Sequence, residues 1–445
     1  MSTASTSTGT GTSTSTSTGD PPGGLMPPGS PTDHSPRDRF GPDHHAPGDH
    51  LGSPLEAMDV LALADRLFRW ADARDWAGPD PYDGLTGPLG RLAVHPVLRQ
   101  VLLQTVKRSR IDLRPVLGIH PLRTATAAGT AAGACARLSA SPVWRRRALR
   151  LGRSAAAEQL SGRYAGLWRY EFDVQTRWAY YPASLPNLVA TTFCADGCLD
   201  TGTLGDESVR TLAQGLLEHL HNGAFFTYTP ASDVLVHNAN LMGAALAGRL
   251  ACIGTLPGEL ADRLADAARG AVEVSLNAQR PDGSWPYGRG PQLGWVDGFH
   301  TGYVLLRLEQ AGTLLDVDVR RPLERGVDHY LRHLFDGPLP RYFADGRSRR
   351  DPNNDATAVR MAAWAAHHGF VRTDFPRAVL AAVVDRYPGL GADTRAGGSP
   401  RNRSLWESPR WSAAPLLDAL TALHAVLPGG RHPATPAAQP TTAAS

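Results

Sequence analysis

Two histidines in this 445-residue chain stand where proton chemistry could be done. His300 lies in the run Trp295-Val296-Asp297-Gly298-Phe299-His300-Thr301-Gly302-Tyr303, three residues after a carboxylate. His237 lies in Val236-His237-Asn238-Ala239-Asn240-Leu241, among hydrogen-bonding neighbours. Imidazole exchanges protons near neutral pH, so a pair facing one cavity could remove and return a proton at a sugar carbon beside a carboxylate, with Asp297 as the third member of the candidate catalytic set. Each histidine could equally cap a helix or fill a buried network. Asp173, Gln175 and Arg177 alternate along a short segment. If that segment is extended, the three point one way, and Arg177 could clasp a carboxylate or phosphate through two N–H groups. A salt bridge from Arg177 to Asp173 is the competing reading.

Aromatic side chains crowd the same stretches: Trp178, Tyr180, Tyr181, Trp285, Tyr287 and Trp295. A flat apolar face beside Asp, Asn and Arg suits a sugar ring, which has an apolar CH face and a polar rim. The candidate substrate-binding residues are therefore Asp173, Gln175, Arg177, Asn238, Asn240, Trp285, Tyr287, Trp295 and Tyr303, together with Asp355 further on. For part of the run from Gln279 to Gly288 a purely architectural role is the stronger reading. Its glycines permit tight turns, Asp282 can accept bonds from loop amides, and Trp285 can plug the gap between neighbouring helix pairs.

The elements that must position these groups are helices. After about residue 160 one theme repeats, an amphipathic helix, a loop and another helix. Val209, Leu212, Leu216 and Leu220 form one apolar stripe; Leu260, Leu264, Ala268, Val272 and Leu276 form another; Leu323, Val327, Tyr330 and Leu334 a third. Ala-rich helices are expected at 356–367, 378–387 and 413–426, and strand-like alternation is nearly absent. Two-faced helices in sequential antiparallel pairs must each bury a stripe, and a ring of hairpins does so while leaving a funnel at its centre. The expected fold is all-α, an α/α toroid; a helical solenoid would satisfy the same stripes but usually shows a cleaner period. Ahead of it, Leu55 to Trp70 and Leu92 to Val106 read as helical, and the small residues of 124–136 suit close packing or a mobile connection. Residues 1–50, a Ser/Thr repeat and a Pro/Gly/His/Asp stretch, lack the aliphatic side chains that would offset chain entropy and are expected to be a disordered tail. The toroid with its helical extension is placed at 52–430, and 431–445 is a second disordered tail.

Composition narrows the partners. Lys+Arg 45 against Asp+Glu 42 gives a formal charge of +3 and no case for nucleic acid. No apolar run reaches the roughly 18 residues of a membrane span, and the mean hydropathy of −0.26 is that of a soluble chain. The start has neither a basic nor an apolar segment of a secretory signal, so the expected address is the cytoplasm. Arg145, Arg146, Arg147, Arg150 and Arg153 could touch phosphates or an anionic lipid surface, although a solvated helix face is the commoner explanation. Cys194 and Cys198 lie four apart without ligands to complete a zinc set and read as small buried residues. No metal or other cofactor is expected, and the oligomeric state is open.

The run Gln279 to Trp285 resembles the Gln-x-x-Asp-Gly-Ser-Trp signature of squalene-cyclase-like α/α toroids. Residues from about 90 to 425 are similar to the toroid proteins of bacterial polysaccharide-biosynthesis loci, of the prenyltransferase/squalene-oxidase-repeat type, within the terpenoid cyclase and six-hairpin glycosidase-like superfamily. The segments that carry this are 112–119 (Asp-Leu-Arg-Pro-Val-Leu-Gly-Ile), 170–177 (Tyr-Glu-Phe-Asp-Val-Gln-Thr-Arg), 236–241 and 295–303. That group resembles glucuronyl C5-epimerases and polysaccharide lyases in its toroid. The resemblance implies a carbohydrate-active protein acting on a glycan or sugar intermediate in polysaccharide or glycosylated-metabolite assembly, by epimerase-like or lyase-like proton abstraction. A terpene-cyclase-like enzyme and a non-catalytic scaffold remain the alternatives. The chain departs from the cyclases, because Asp316-Val317-Asp318-Val319 lacks the last carboxylate of their acid motif, and from prenyltransferases, because no Asp, Cys and His zinc set is found. It departs from the polysaccharide group where Asp351-Pro352-Asn353-Asn354-Asp355 stands in place of an Asp-x-His stretch.

Overall fold

Small residues set how closely the helices approach one another. In the computed structural model, which describes residues 59–109, 111–347, 349–387 and 407–427, the stretch Ala125–Ala136 is a helix buried on nearly every side. A Cβ at its Gly129 would stand 2.6 Å from the Cα of Cys194, and one at Gly197 would stand 2.0 Å from the Gly129 carbonyl oxygen. Only hydrogen fits at that crossing. The regions read as disordered tails, 1–50 and 431–445, lie outside the described residues.

Twelve helices among the described residues alternate between an outer and an inner layer. The inner ones are α4 (Ala125–Ala136), α6 (Leu188–Thr201), α8 (His237–Ala251), α10 (Gly298–Leu315), α12 (Pro352–His367) and α14 (Ala414–Val426). Each packs on the next, and α14 packs back against α4, so the ring closes and is not an open solenoid. Outside them lie α1 (Val60–Asp72), α5 (Pro142–Ala156), α7 (Asp206–His219), α9 (Gly258–Leu276), α11 (Arg320–His333) and α13 (Phe375–Arg386). The outer helices carry the stripes read from the sequence, for example Leu260, Leu264, Ala268 and Val272 buried on α9. The first outer helix, α1, covers the last inner one. The fold is an α/α toroid.

The chain ahead of α4 differs in detail from the expected helix over 92–106. A short α2 (Pro88–Leu92) precedes α3 (Pro96–Arg108), each with proline in its first turn, where the missing N–H costs nothing. Three two-residue antiparallel ladders brace the loops that lead into inner helices: β1 (Ala77–Gly78) with β2 (Leu122–Arg123), β3 (Val174–Gln175) with β4 (Tyr180–Tyr181), and β5 (Phe335–Asp336) with β6 (Leu339–Pro340). The segment around Gln175 is thus extended, which meets the condition set on Asp173, Gln175 and Arg177. Arg147 of the basic run on α5 pairs with Asp65 at 2.7 Å and lies over the Phe68 ring, and Arg150 pairs with Asp72. Part of that run therefore holds α5 to α1, while Arg145, Arg146 and Arg153 are exposed.

Two architectural readings in the Gln279–Gly288 loop can be placed in atomic detail. Asp282 accepts from the Ser284 amide at 3.0 Å and its hydroxyl at 2.7 Å. The Trp285 indole donates to the Ser275 carbonyl at 2.7 Å and presses against Gly326 of α11, where a Cβ would meet the ring at 2.7 Å. Ring closure is fastened elsewhere. Arg410, just ahead of α14, donates two hydrogen bonds to Asp80, each 2.7 Å, and both side chains are buried. Next to it the Arg114 guanidinium donates to Asp83 at 2.7 Å. Asp80→Ala would leave the Arg410 charge buried without its counter-ion, a loss expected to cost ~3–5 kcal/mol. Thermal denaturation should show it as a large drop in midpoint; an unchanged midpoint would refute a role for the pair in closure.

Candidate functional site

Side-chain caps bring the chemistry to one end of the ring. Thr124, Asn187, Asp297 and Asp351 cap α4, α6, α10 and α12, and Ser408 caps the π turn Pro409–Ala413 that runs into α14. Each accepts the amide hydrogens that a first helical turn leaves free. The exception is α8, which has no side-chain cap and instead donates its His237 amide to the Tyr287 carbonyl at 3.0 Å. First-turn residues of all these helices, among them Thr126, Val189, Asn238, Phe299, Asn353 and Trp411, line one open cavity of about 1460 Å³.

His300 and Asp297 form a hydrogen-bonded pair in the wall of that cavity. The His300 backbone N–H donates to Asp297 Oδ1 at 2.8 Å, and its ring Nδ1 lies 2.7 Å from Asp297 Oδ2. The Trp295 indole donates to the same oxygen at 2.9 Å. Burial opposes ionisation of Asp297, but the nearby imidazole, its amide and the indole outweigh it and hold the carboxyl below the usual carboxylate range. An ionised Asp297 accepts Nδ1–H, and in the neutral form of the ring that leaves Nε2 as the lone-pair nitrogen. Around it stand Tyr287, edge-on to the imidazole with centroids 4.5 Å apart, and Trp295, stacked on Tyr287 at 4.5 Å. Trp178 leans on Trp295 at 4.7 Å. Burial pushes the Tyr287, Tyr228 and Tyr303 hydroxyls well up, so they stay protonated and can donate.

Other cavity groups are amides and cations. Gln175, Asn238 and Asn353 are buried in the wall, and Gln175 Oε1, Asn238 Oδ1 and Asn353 Oδ1 have no hydrogen-bond partner among the described residues. The rim carries Lys107, Arg108, Arg177, Arg347, Arg349 and Arg350. Arg177 pairs with no carboxylate among the described residues, so the salt bridge to Asp173 is not formed. Arg347 and Arg349 are tied to Asp345 and Asp351.

Of the residues singled out from sequence, Gln175, Arg177, Asn238, Tyr287, Trp295, Asp297, His300 and Tyr303 share this cavity. Five do not line it. His237 is buried with Nδ1 3.1 Å from the Ser275 hydroxyl, and burial pushes its pKa down to about 4, so it is a neutral packing group. Asn240 accepts from the Phe226 amide at 2.9 Å and donates to the Ala271 carbonyl at 2.7 Å, staying within the helix packing. Asp173 accepts from the Tyr180 hydroxyl at 2.6 Å and the Ala183 amide at 2.7 Å, which shapes its own loop. Trp285 is the wedge already described. Asp355 is buried against Arg386, at 2.8 and 2.9 Å, and the Tyr387 hydroxyl, at 2.7 Å, and so holds α13 to α12. Sequence reading passed over Tyr228, Arg410, Trp411 and Asn353. The Ser-Pro-Arg-Trp start at 408–411, a cap followed by proline, is the one local signal that a helix opens there. Asp316, of the partial cyclase-acid string, sits at the C-terminal end of α10, roughly 24 Å along that helix from His300.

No family model matches the chain, and no curated protein matches it in sequence. Solved structures match in fold. A cellobiose 2-epimerase from Bacillus thermoamylovorans B4167 is 12% identical over 68% of this chain and 90% of its own, with a TM-score of 0.50. A sugar epimerase from a ruminal bacterium is 11% identical over 69% and 90%, with a TM-score of 0.50. The unsaturated glucuronyl hydrolase of Bacillus sp. GL1, responsible for degradation of glycosaminoglycan, is 12% identical over 83% and 96%, with a TM-score of 0.51. At such identities the likeness is one of fold.

The buried state of His237 predicts a pH dependence. Folded, it takes up a proton only near pH 4; unfolded, it does so near 6.5. Stability is therefore complete above pH 6.5 and falls as pH drops towards 4, by ~3 kcal/mol at about 1.4 kcal/mol per unit. Urea unfolding of wild type and His237→Gln across this range should show the wild type losing stability faster on acidification. Parallel curves would mean that the imidazole takes up its proton as readily in the fold as in the unfolded chain.

Proposed function

We propose that this toroid binds an anionic saccharide in its central cavity and that His300, oriented by Asp297, abstracts a proton from it. The observation that carries the reading is the Asp297–His300 pair at 2.7 Å, set among Tyr287, Trp295 and Trp178 in one cavity with the side chains of Gln175, Asn238 and Asn353. A wall that mixes hydrogen-bonding amides and cations with aromatic rings suits a polyhydroxylated ligand better than a bare hydrocarbon. The aromatic faces of Trp178, Trp295 and Tyr287 suit a sugar's CH face, and the exposed Arg108, Arg177 and Arg350 at the rim suit a carboxylate or phosphate on the same molecule.

In this reading the substrate's acidic C–H, beside a carboxylate that stabilises the developing negative charge, faces His300 Nε2. The imidazole takes the proton while Asp297 holds the ring and balances the imidazolium. Departure of a leaving group from the neighbouring carbon, with the carbanion's electron pair closing a double bond, gives elimination. Epimerisation requires a proton delivered to the opposite face of the carbanion, which a protonated tyrosine hydroxyl of the wall, reprotonated from solvent, would have to supply. With His237 enclosed in the helix packing, no second imidazole serves that face. The folds of the sugar epimerases and of the glucuronyl hydrolase lend background support, as does the resemblance to polysaccharide-locus toroids, which suggests a role in glycan or glycosylated-metabolite assembly in the cytoplasm.

Incubation with uronate-containing oligosaccharides in heavy water, read by mass spectrometry, should show deuterium entering the sugar or an unsaturated product. His300→Gln should abolish either signal while thermal stability stays within about 1 kcal/mol, the usual range outside a packed core. Asp297→Asn retains a good helix cap but loses the charge that orients the ring, and turnover should fall roughly a hundredfold or more. Full activity in His300→Gln, or turnover of an isoprenoid diphosphate with no response to any saccharide, would overturn the proposal.

A further inference from the structure

The stretch from α2 through α3 to Val116 is unlike the rest of the surface. Among the described residues, twelve large apolar side chains are exposed, and eight of them fall here: Leu89, Leu92, Val94, Val97, Leu98, Val101, Ile111 and Val116, between 52% and 85% exposed. On α3 only Leu103 and Val106 are buried, while Val97, Leu98 and Val101 are exposed, so a 13-residue helix turns half of its valines and leucines outward. Patches of this kind mark contact surfaces. Their neighbours choose the partner. From Pro88 to Ile111 the sequence holds no Asp or Glu, but it holds Arg91, Arg99, Lys107, Arg108 and Arg110. Arg91 and Arg108 are exposed, while Arg99 and Lys107 lie over the rings of Tyr180 and Tyr82. The nearest acid, Asp112, is engaged by Arg114.

We infer that α2, α3 and the loop to Val116 form a docking surface for an anionic lipid bilayer. Aliphatic side chains enter the headgroup boundary and the surrounding cations meet lipid phosphates, the arrangement by which amphipathic helices lie in an interface without crossing it. Among the described residues no helix is long and apolar enough to cross a membrane, so the contact is peripheral. It is also distinct from the Arg145–Arg153 run, part of which is occupied in pairing α5 with α1. The same helix lines the cavity rim through Gln100, Gln104 and Lys107, so docking sets the cavity mouth beside the headgroups.

The test is co-sedimentation of the full chain with vesicles of phosphatidylcholine alone or mixed with phosphatidylglycerol. Wild type should pellet with the anionic vesicles, less so at high salt, and scarcely with the neutral ones. Combined Val97→Glu, Leu98→Glu and Val101→Glu, at exposed positions, should leave the circular dichroism unchanged and weaken vesicle binding roughly tenfold or more; Arg91→Glu should weaken it further. Absence of wild-type binding, or binding indifferent to the triple change, would overturn the inference. So would a wild-type dimer that the triple variant splits without any vesicle binding, since the face would then join two copies of the chain.

Discussion

The ion pair between Asp80 and Arg410, 330 positions apart in the chain, is the contact on which the cavity end depends. Removing two charges from water is costly, and only good geometry with further partners offsets it. Here the geometry is bidentate, and the guanidinium also lies 5.3 Å from the ring centroids of Tyr170, Phe172 and Trp411. Burial opposes the charge on Arg410, but the Asp80 carboxylate raises its pKa above the ordinary value, so it stays a cation. One side chain thereby joins the loop before α2, the loop before α6 and the start of α14. Away from the cavity end Arg137, which follows α4, pairs with Asp418 of α14 at 2.7 Å, so the closure is held at two points.

Close approach of the inner helices limits what their crossings can carry. Where Gly129 faces Gly197, and where Gly302 of α10 faces Thr357 of α12, the backbones approach too closely for any side chain on the glycine. Further along the shafts, ion pairs join inner helices to one another, Asp196 with Arg249 and Arg307, and Asp418 with Arg360. The cavity groups described above occupy first turns and the loops before them, held by that scaffold. The caps gather at the same end, since each helix starting there must satisfy its first amides. At α10 the cap, Asp297, also holds the His300 ring, so one carboxylate both satisfies the first turn and fixes the imidazole.

Electrostatics separate the cavity into a floor and a rim. The floor is aromatic and amide-lined, with tyrosines kept neutral by burial; the rim is cationic. α3 belongs to both the rim and the exposed apolar surface, which couples where the protein docks to what the cavity meets.

Local periodicity determined much of this protein from sequence alone. The stripes of α7, α9 and α11 are visible at helical spacing, the Gln279–Trp285 turn announces its own geometry, and Asp297 with His300 is legible because a cap and the residue three positions on are neighbours in any helix that starts there. Tertiary structure alone decided the rest. His237 and His300 both open inner helices, yet one faces Ser275 in the wall and the other faces the cavity, because the rotation of each helix about its axis is set by packing against neighbours distant in sequence. Asp355 looked like a binding residue until Arg386 and Tyr387, from the next helix, claimed it. The exposure of Val97 and Leu98 and the pairing of Asp80 with Arg410 likewise depend on which surfaces meet when the ring closes, and no short window of sequence contains both sides of such a contact.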